Sequence, residues 1–461
     1  MEKLIGLLGV AVFLGLAYLL SNNRRAINWR LTVTGIGMQL LFAFLILHVP
    51  FVRDMFDSVG QGIQGLLDCA KDGLAFVLGE ELARSKFVFA FVISASIIFV
   101  GGLTGIAFHL GVLQVVVRGL AYGLKRTMGI SGAEALSTGA EVFLGQVESQ
   151  LLIRNYIKKL SNSELMGIMA AAMATISGSA LVAYIGLGIN PTWLLMASFM
   201  TAPSALVVAK MMYPETDMDA VNRETDLVDE RTAVNWIEAG SEGAWQGLKV
   251  AANVMAQLIF FIGVVSLANY TLGGLFARPG LLPYAGGGAV VLFALWFARK
   301  KELLGRAPAL IKVAPSSVYP SIVLAGLATV VVLGMFGVTF QIQDVFGFFF
   351  TPVAFLTGIP WDEAVRVGPL LGTKTVLNEF MAYMDLAKMS TGEGALSART
   401  QMITTIALCG FANLASIGIN IGGLSRMAPE RVGDISKIGV KALVAATIAS
   451  WLTAALAGLL M

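Results

Sequence analysis

An all-α polytopic membrane protein is the fold class this sequence predicts, and three observations carry the prediction. Apolar runs long enough to cross a bilayer recur from one end to the other. Charged residues are 13% of the 461-residue chain while hydrophobic residues are 57%, and the mean hydropathy is +0.78. The few polar residues that do fall inside apolar stretches gather at particular places. Soluble domains carry about 25% charged residues, so a large share of the usual solvating surface is missing and lipid replaces it.

The spans follow in order. A crossing helix needs roughly 20 mostly apolar residues. Residues 3–20, 31–50, 87–108, 164–188, 193–212, 246–270, 316–337, 399–424 and 438–460 meet that requirement, and 282–298 is a shorter candidate. The first run is read as a retained span, because Ser21-Asn22-Asn23-Arg24-Arg25 follows it without a small-residue cleavage site. Two further stretches, 132–158 and 342–384, are apolar but interrupted by Gly, Pro, Gln, Asn and Glu. They suit re-entrant hairpins, which membranes tolerate only when buried in protein or lining a cavity.

Basic residues set the orientation. Arg24, Arg25 and Arg30, then Arg118, Lys125 and Arg126, then Lys158 and Lys159, then Arg299, Lys300, Lys301 and Arg306, and finally Arg426, Arg431 and Lys437 form separate clusters. All fall on one side if both interrupted stretches are re-entrant from opposite faces. That side is predicted to be cytoplasmic, with both termini outside. The loop 213–243 is acidic (Glu215, Asp217, Asp219, Glu224, Asp226, Asp229, Glu230) and reads as a solvated linker.

Several function classes are excluded. The net charge of +3 and the lack of a basic run with interleaved aromatics argue against nucleic-acid binding. Cys69 and Cys409 form no framework or metal pattern, and His48 and His109 read as helix-end histidines. No His-Glu-x-x-His, Walker loop or Gly-x-Ser-x-Gly occurs.

The chemistry is expected at the interior polar residues. The first hairpin holds Glu141, Gln146, Glu148, Ser149 and Gln150, and the span after it holds Thr175, Ser177 and Ser179. The second holds Lys374, Asn378 and Glu379, and the span after that holds Phe411, Asn413, Ser416 and Asn420. Each half thus pairs an interrupted segment bearing an amide and a carboxylate with a helix bearing small hydroxyl or amide residues. That is the pattern of a secondary transporter with its site at the midplane between two repeats. A carboxylate at membrane depth costs roughly 2.5–3.5 kcal/mol or more and is retained with a partner, an ion or a substrate. Glu and Asn accept paired hydroxyl donors such as a sugar diol, and Gln offers donor and acceptor to a nucleobase edge. Phe411 offers a stacking face, and unwound carbonyls at a break hold a cation. Against this stands helix–helix packing, which explains many Ser and Gly residues in membrane helices. Lys374 is read as neutralising Glu379 or a neighbour.

Gly145-Gln146-Val147-Glu148, Asn378-Glu379-Phe380 and Cys409-Gly410-Phe411-Ala412-Asn413-Leu414-Ala415-Ser416-Ile417 resemble the signatures of concentrative nucleoside transporters. The segments Ser21–Ile27 and Pro352–Trp361 are also similar to that family, and the resemblance runs in order along nearly the whole chain. It implies the concentrative nucleoside transporter fold, with two re-entrant hairpins, inverted repeats and about eight core spans, here with a two-span insertion within 280–337. It divides the chain into scaffold spans (1–130), the first hairpin with its transport spans (131–212), the acidic loop (213–243), a scaffold span with the insertion (244–337), and the second hairpin with the C-terminal transport spans (338–461).

The resemblance also implies a homotrimer in the inner membrane that imports a nucleoside with a cation by alternating access, without an organic cofactor. Gln146 and Glu148 would face the base, and Glu379, Asn413 and Ser416 would hold the ribose, with Phe411 beside the ligand and Gly145, Val147, Ala180 and Asn378 completing the nucleoside-binding set. Glu141, Leu144, Thr175 and Ile176 would hold the cation. The chain departs from the family at Val147, where Thr or Ser is usual, at Ser149-Gln150, where Ala-Pro is common, and at Glu141, where sodium-coupled members have Asn. A titratable Glu141 favours a proton over sodium as the coupling ion. Nucleobases or modified nucleosides are the alternative cargo, and an intramembrane hydrolase using Glu148 and Glu379 is the alternative class.

Overall fold

The computed structural model describes residues 2–80, 89–217, 219, 233–276 and 342–461. The runs 282–298 and 316–337, and the insertion that contains them, lie outside the described residues.

The N-terminal part contains α1 (Glu2–Leu19), α2 (Trp29–His48), α3 (Pro50–Leu78), α4 (Phe89–His109) and α5 (Val112–Met128). Helix α2 starts where Asn28 accepts from the Leu31 amide, satisfying one of the orphan donors of a helix N-terminus. α1, α2 and α4 match the predicted spans. α3 and α5 do not correspond to any. Both are amphipathic: α3 buries Leu67, Ala70 and Leu74 while Arg53, Asp54 and Asp68 stay exposed. A one-sided apolar stripe gives a helix no hydropathy peak, so neither helix shows in the sequence as a continuous apolar run.

The first interrupted stretch is α6 (Gly132–Glu141), a non-helical tip, α7 (Glu148–Leu151) and a single 3-10 turn at Ile157–Lys159. The predicted span 164–188 is not one helix. It divides into α8 (Asn162–Ala174) and α9 (Gly178–Gly186), with Thr175–Ser177 extended between them. Helices α6 and α8 both begin with a reciprocal capping box, Ser131 with Glu134 and Ser161 with Glu164. Next come α10 (Pro191–Met212), opened by an Asn190 cap and a first-turn proline, and α11 (Trp236–Phe276). α11 begins inside the segment expected to be an acidic loop and ahead of the predicted span at 246. Glu215 in that segment is also not merely solvated. It accepts from the Ser161 hydroxyl at 2.7 Å and pairs with Lys210 at 3.4 Å. Partial burial pushes its carboxyl upward, but the Lys210 charge and the Ser161 hydrogen bond outweigh that and hold it below the usual carboxylate range.

The second interrupted stretch reaches past 384. It consists of α12 (Ile342–Leu356), α13 (Trp361–Val376) and α14 (Glu379–Met389), with the break at Leu377–Asn378. The predicted span 399–424 divides like its counterpart, into α15 (Ala398–Leu408) and α16 (Leu414–Met427). α17 (Val432–Leu460) closes the chain. The order helix–break–helix, helix–break–helix, long helix therefore occurs twice, over 132–212 and 361–460.

α6 and α8 are almost wholly buried, and α10 and α17 largely so. Ser204 on α10 donates to the Ala449 carbonyl of α17 at 3.0 Å. The α4–α11 contact is a different kind of packing, glycine against backbone. A Cβ on Gly105 would stand 2.3 Å from the Ala239 oxygen, and one on Gly243 would stand 2.3 Å from the Gly101 oxygen. Small residues are what permit membrane helices this approach.

The two ends of the bundle differ. At one, Asn22 meets the Met212 carbonyl and Lys441, and Arg431 donates to Lys158, Leu160 and Asn162, so basic loop residues distant in sequence share a face. At the other, Glu2 pairs with Arg399 at 3.1 Å and Gly6 lies against Leu459, which places both termini together.

The breaks of the two divided helices cross back to back. Gly410 has φ +93, and a Cβ there would stand 2.0 Å from the Ala174 oxygen. Gly410→Ala is expected to lower stability by at least about 2 kcal/mol, since it combines a disfavoured left-handed backbone with a backbone clash. Gly418→Ala, where the added carbon meets nothing within 4 Å, is expected to be neutral or slightly stabilising. Thermal melts of both variants in detergent check this.

Candidate nucleoside and cation site

Three helix starts converge where the breaks meet, and each is capped by a polar side chain. Ser177 accepts from the Ala180 amide at 3.3 Å, Asn378 from Met381 at 3.0 Å and Asn413 from Ser416 at 3.0 Å. Helix N-termini carry partial positive charge, so this convergence favours oxygen-rich or anionic groups. The carboxylate of Glu379, the first residue of α14, sits among them. Its Oε1 accepts from the Tyr184 hydroxyl at 2.9 Å and its Oε2 from the Asn413 amide at 2.9 Å. A carboxylate has about four lone-pair sites, so capacity for further donors remains. Among the described residues it forms no ion pair.

The Gly145–Glu148 turn is tied to the opposite repeat. Asn420 on α16 donates to Gln146 Oε1 at 2.6 Å and accepts from Gln150 Nε2 at 2.7 Å. Val147 packs toward Gly423 on the same helix. Glu148 turns the other way, folds over Gly145 and is exposed. A Gly178 amide bond to the Phe143 carbonyl, 3.0 Å, fixes the tip of this hairpin to the break between α8 and α9.

Two cavities adjoin these groups. The larger, about 380 Å³, is lined by Leu144, Gly145, Glu148, Ser177 and Ser179 on one side and by α4 and α11, including Glu242 and Gln246, on the other. This volume lies in the small-molecule range. The smaller, about 60 Å³, is lined by Ala180, Tyr184, Asn378, Glu379, Phe411 and Gln257. Ser177 and Val250 line both.

The predicted nucleoside residues therefore divide. Gly145 and Glu148 line the larger cavity, and Ala180, Asn378, Glu379 and Phe411 the smaller. Gln146, Val147, Asn413 and Ser416 line neither. Gln146 and Val147 face α16, while Asn413 and Ser416 are buried and hold the break. Of the predicted cation residues, Glu141, Thr175 and Ile176 are buried, and Leu144 borders the larger cavity. The Ser149 hydroxyl donates to Glu141 across the hairpin tip. Thr175 donates to the Ala171 carbonyl at 2.9 Å.

Lys374 makes no direct ion pair with Glu379, although the two charges lie close enough to attract. Its ammonium donates to the Ala407 and Cys409 carbonyls at 3.0 and 2.7 Å and to Ser450 Oγ at 3.2 Å. Tyr184 escaped the sequence reading because a single Tyr in an apolar run carries no motif. Its i, i+4 relation to Ala180 was the available signal.

Comparison with known proteins agrees with this architecture. The family description "Na+ dependent nucleoside transporter C-terminus" matches residues 193–296 and 320–458, and "Na+ dependent nucleoside transporter N-terminus" matches residues 8–81. The chain belongs to the concentrative nucleoside transporter family. An uncharacterized transporter of Haemophilus influenzae is 35% identical over all of this chain and 98% of its own length. The human sodium/nucleoside cotransporter 1 is 33% identical over all of this chain and 64% of its own length. Among solved structures, CNTnw in an inward-facing substrate-bound state superposes with a TM-score of 0.82 at 31% identity, covering 100% of this chain and 99% of that one. A CNTnw variant in an intermediate state gives 0.79 at 32% identity, with 99% and 98% covered. The fold is thus the all-helical concentrative nucleoside transporter fold. The chain is a multi-pass membrane protein of a transporter family and not an enzyme, which sets aside the hydrolase alternative.

Asn420 is the residue on which the first hairpin hangs. Asn420→Leu leaves the Gln146 and Gln150 amides without their partner, at about 1–3 kcal/mol for each buried group. A lowered melting temperature and weakened ligand binding are expected together. Isothermal titration alongside a thermal melt tests both.

Proposed function

We propose that the chain is a secondary active symporter that imports nucleosides with a cation by alternating access. The observation that carries this reading is Glu379. It is a buried carboxylate held by two neutral donors, Tyr184 and Asn413, at the meeting point of three helix N-termini and beside a cavity. An acid at such depth with spare acceptor capacity fits the hydroxyl pair of a ribose. In this reading Asn378, Asn413 and Ser416 shape the ribose end, with Phe411 and Ala180 beside the ligand. Gly145, Gln146, Val147 and Glu148 serve the base, with Gln146 held in place by Asn420. Residues 1–130 and 244–337 act as scaffold and the two repeats as the moving part. The assembly is a homotrimer in the inner membrane with both termini outward.

The coupling ion in this proposal is a proton taken up at Glu141, near Leu144, Thr175 and Ile176. Supporting this is the partner of Glu141. Ser149, itself a departure from the family pattern, gives Glu141 a neutral hydrogen-bond donor, and among the described residues Glu141 has no ion pair. Such a carboxyl is free to carry either a proton or a cation.

Uptake of radiolabelled uridine and adenosine into proteoliposomes, with sodium and proton gradients imposed separately, is the direct test. Accumulation under a proton gradient alone is expected, and no accumulation under either gradient removes the proposal. Glu379→Gln keeps the shape and loses the charge, so at least a tenfold rise in KM is expected, as for one charge-assisted hydrogen bond. Glu141→Gln is expected to flatten the pH dependence of uptake more than its sodium dependence. An unchanged pH profile in that variant counts against the proton.

A further inference from the structure

The two repeats place opposite charges at matching positions. In the first, α6 ends on Glu141, and the divided helix that follows breaks after Ala174. In the second, the last turn of α13 carries Lys374, and the divided helix that follows breaks after Leu408. Lys374 is buried, with 1% of its surface exposed, and its Nζ is enclosed by the Ala407 carbonyl, the Cys409 carbonyl and Ser450 Oγ. Ser450 in turn also donates to a carbonyl, Cys409 at 3.1 Å or Ala446 at 3.1 Å. An ammonium has three donors, and here each has an acceptor. Among the described residues no carboxylate forms an ion pair with it.

A buried cation with no acid in direct contact is ordinarily expensive, and Glu379 acts on Lys374 only from beyond contact distance. What compensates here is the C-terminus of α15, whose last carbonyls lack intrahelical partners and carry partial negative charge. Unwound carbonyls and half-helix C-termini, joined by a hydroxyl, are the donor set with which transporters hold monovalent cations. We propose that the break between α15 and α16 is a monovalent-cation site occupied permanently by the Lys374 ammonium. The second repeat then needs no exchangeable ion to hold its divided helix. A tethered cation also locks α13 to that break, so the two move as one body.

Lys374→Ala tests this directly, because it removes a group the size of n-propylammonium and leaves the oxygen cage. Melting temperatures are measured in detergent at constant ionic strength, in sodium, potassium or n-propylammonium chloride against choline chloride. Transport plays no part in the readout, so failure of the symport proposal leaves this test intact. In Lys374→Ala, one or more of the small cations should raise the melting temperature beyond any rise in the unsubstituted protein. Equal responses in the two proteins overturn the proposal. Lys374→Met fills the same space without charge and decides the matter if the alanine variant does not fold. A melting temperature in Lys374→Met matching the unsubstituted protein overturns the proposal. A marked fall supports it.

Discussion

The contact of Gly410 with the Ala174 carbonyl is the constraint on which the rest of the site depends. Two long apolar segments cross at their interruptions, and only a residue without Cβ allows the backbones to touch there. Dividing a membrane helix creates new termini in a medium with no water to satisfy them. The crossing sorts those termini by polarity. The starts of α9, α14 and α16 come together and are capped by Ser177, Asn378 and Asn413. The end of α15 points to Lys374. Donor-rich ends thereby face the carboxylate of Glu379, and acceptor-rich ends face a cation.

The repeats are also braced across one another. Tyr184, on the divided helix of the first repeat, bonds to Glu379 of the second interrupted stretch. Asn420, on the divided helix of the second, bonds to Gln146 and Gln150 of the first. Each half leaves some of its polar groups to be satisfied by the other. A single hydrogen bond adds only about 0.5–1.5 kcal/mol net, but an unmade buried one costs about 1–3 kcal/mol. The effect of the bracing is therefore specificity more than stability: any arrangement that separates the halves must supply other partners for these groups. Transport requires such a rearrangement, and water or cargo in the adjoining cavities can supply the partners.

Much of this was legible in the sequence where lipid imposes a simple rule. Continuous apolar length located α1, α2, α4, α10 and α17, and the motifs singled out Glu379 and Asn413, which the structure joins by a hydrogen bond. α3 and α5 were missed because amphipathic helices do not obey that rule. The breaks at 175–177 and 409–413 were read through because their flanks are as apolar as any span, and the interruptions Thr-Ile-Ser and Cys-Gly-Phe-Ala-Asn mix polar residues with apolar ones. Partners were the least legible. The contacts of Lys374 are mainly backbone carbonyls, which no side-chain pattern reports, and Tyr184 meets Glu379 across 195 positions of sequence.

The departures from the family pattern gain meaning only in space. Read along the chain, Glu141, Ser149 and Gln150 are separate irregularities. In the structure Ser149 is the hydrogen-bond partner of Glu141, and Gln150 is the partner of Asn420. A carboxyl at 141 in place of an amide loses its own donors, and the serine hydroxyl supplies one where an alanine cannot. Gln150 takes over contact with α16 that a proline side chain, lacking polar atoms, cannot make. A fold built from two similar halves must still give them different tasks. One difference is an acid at the end of α6, held by Ser149, and a base in the last turn of α13, set against the break of the divided helix that follows.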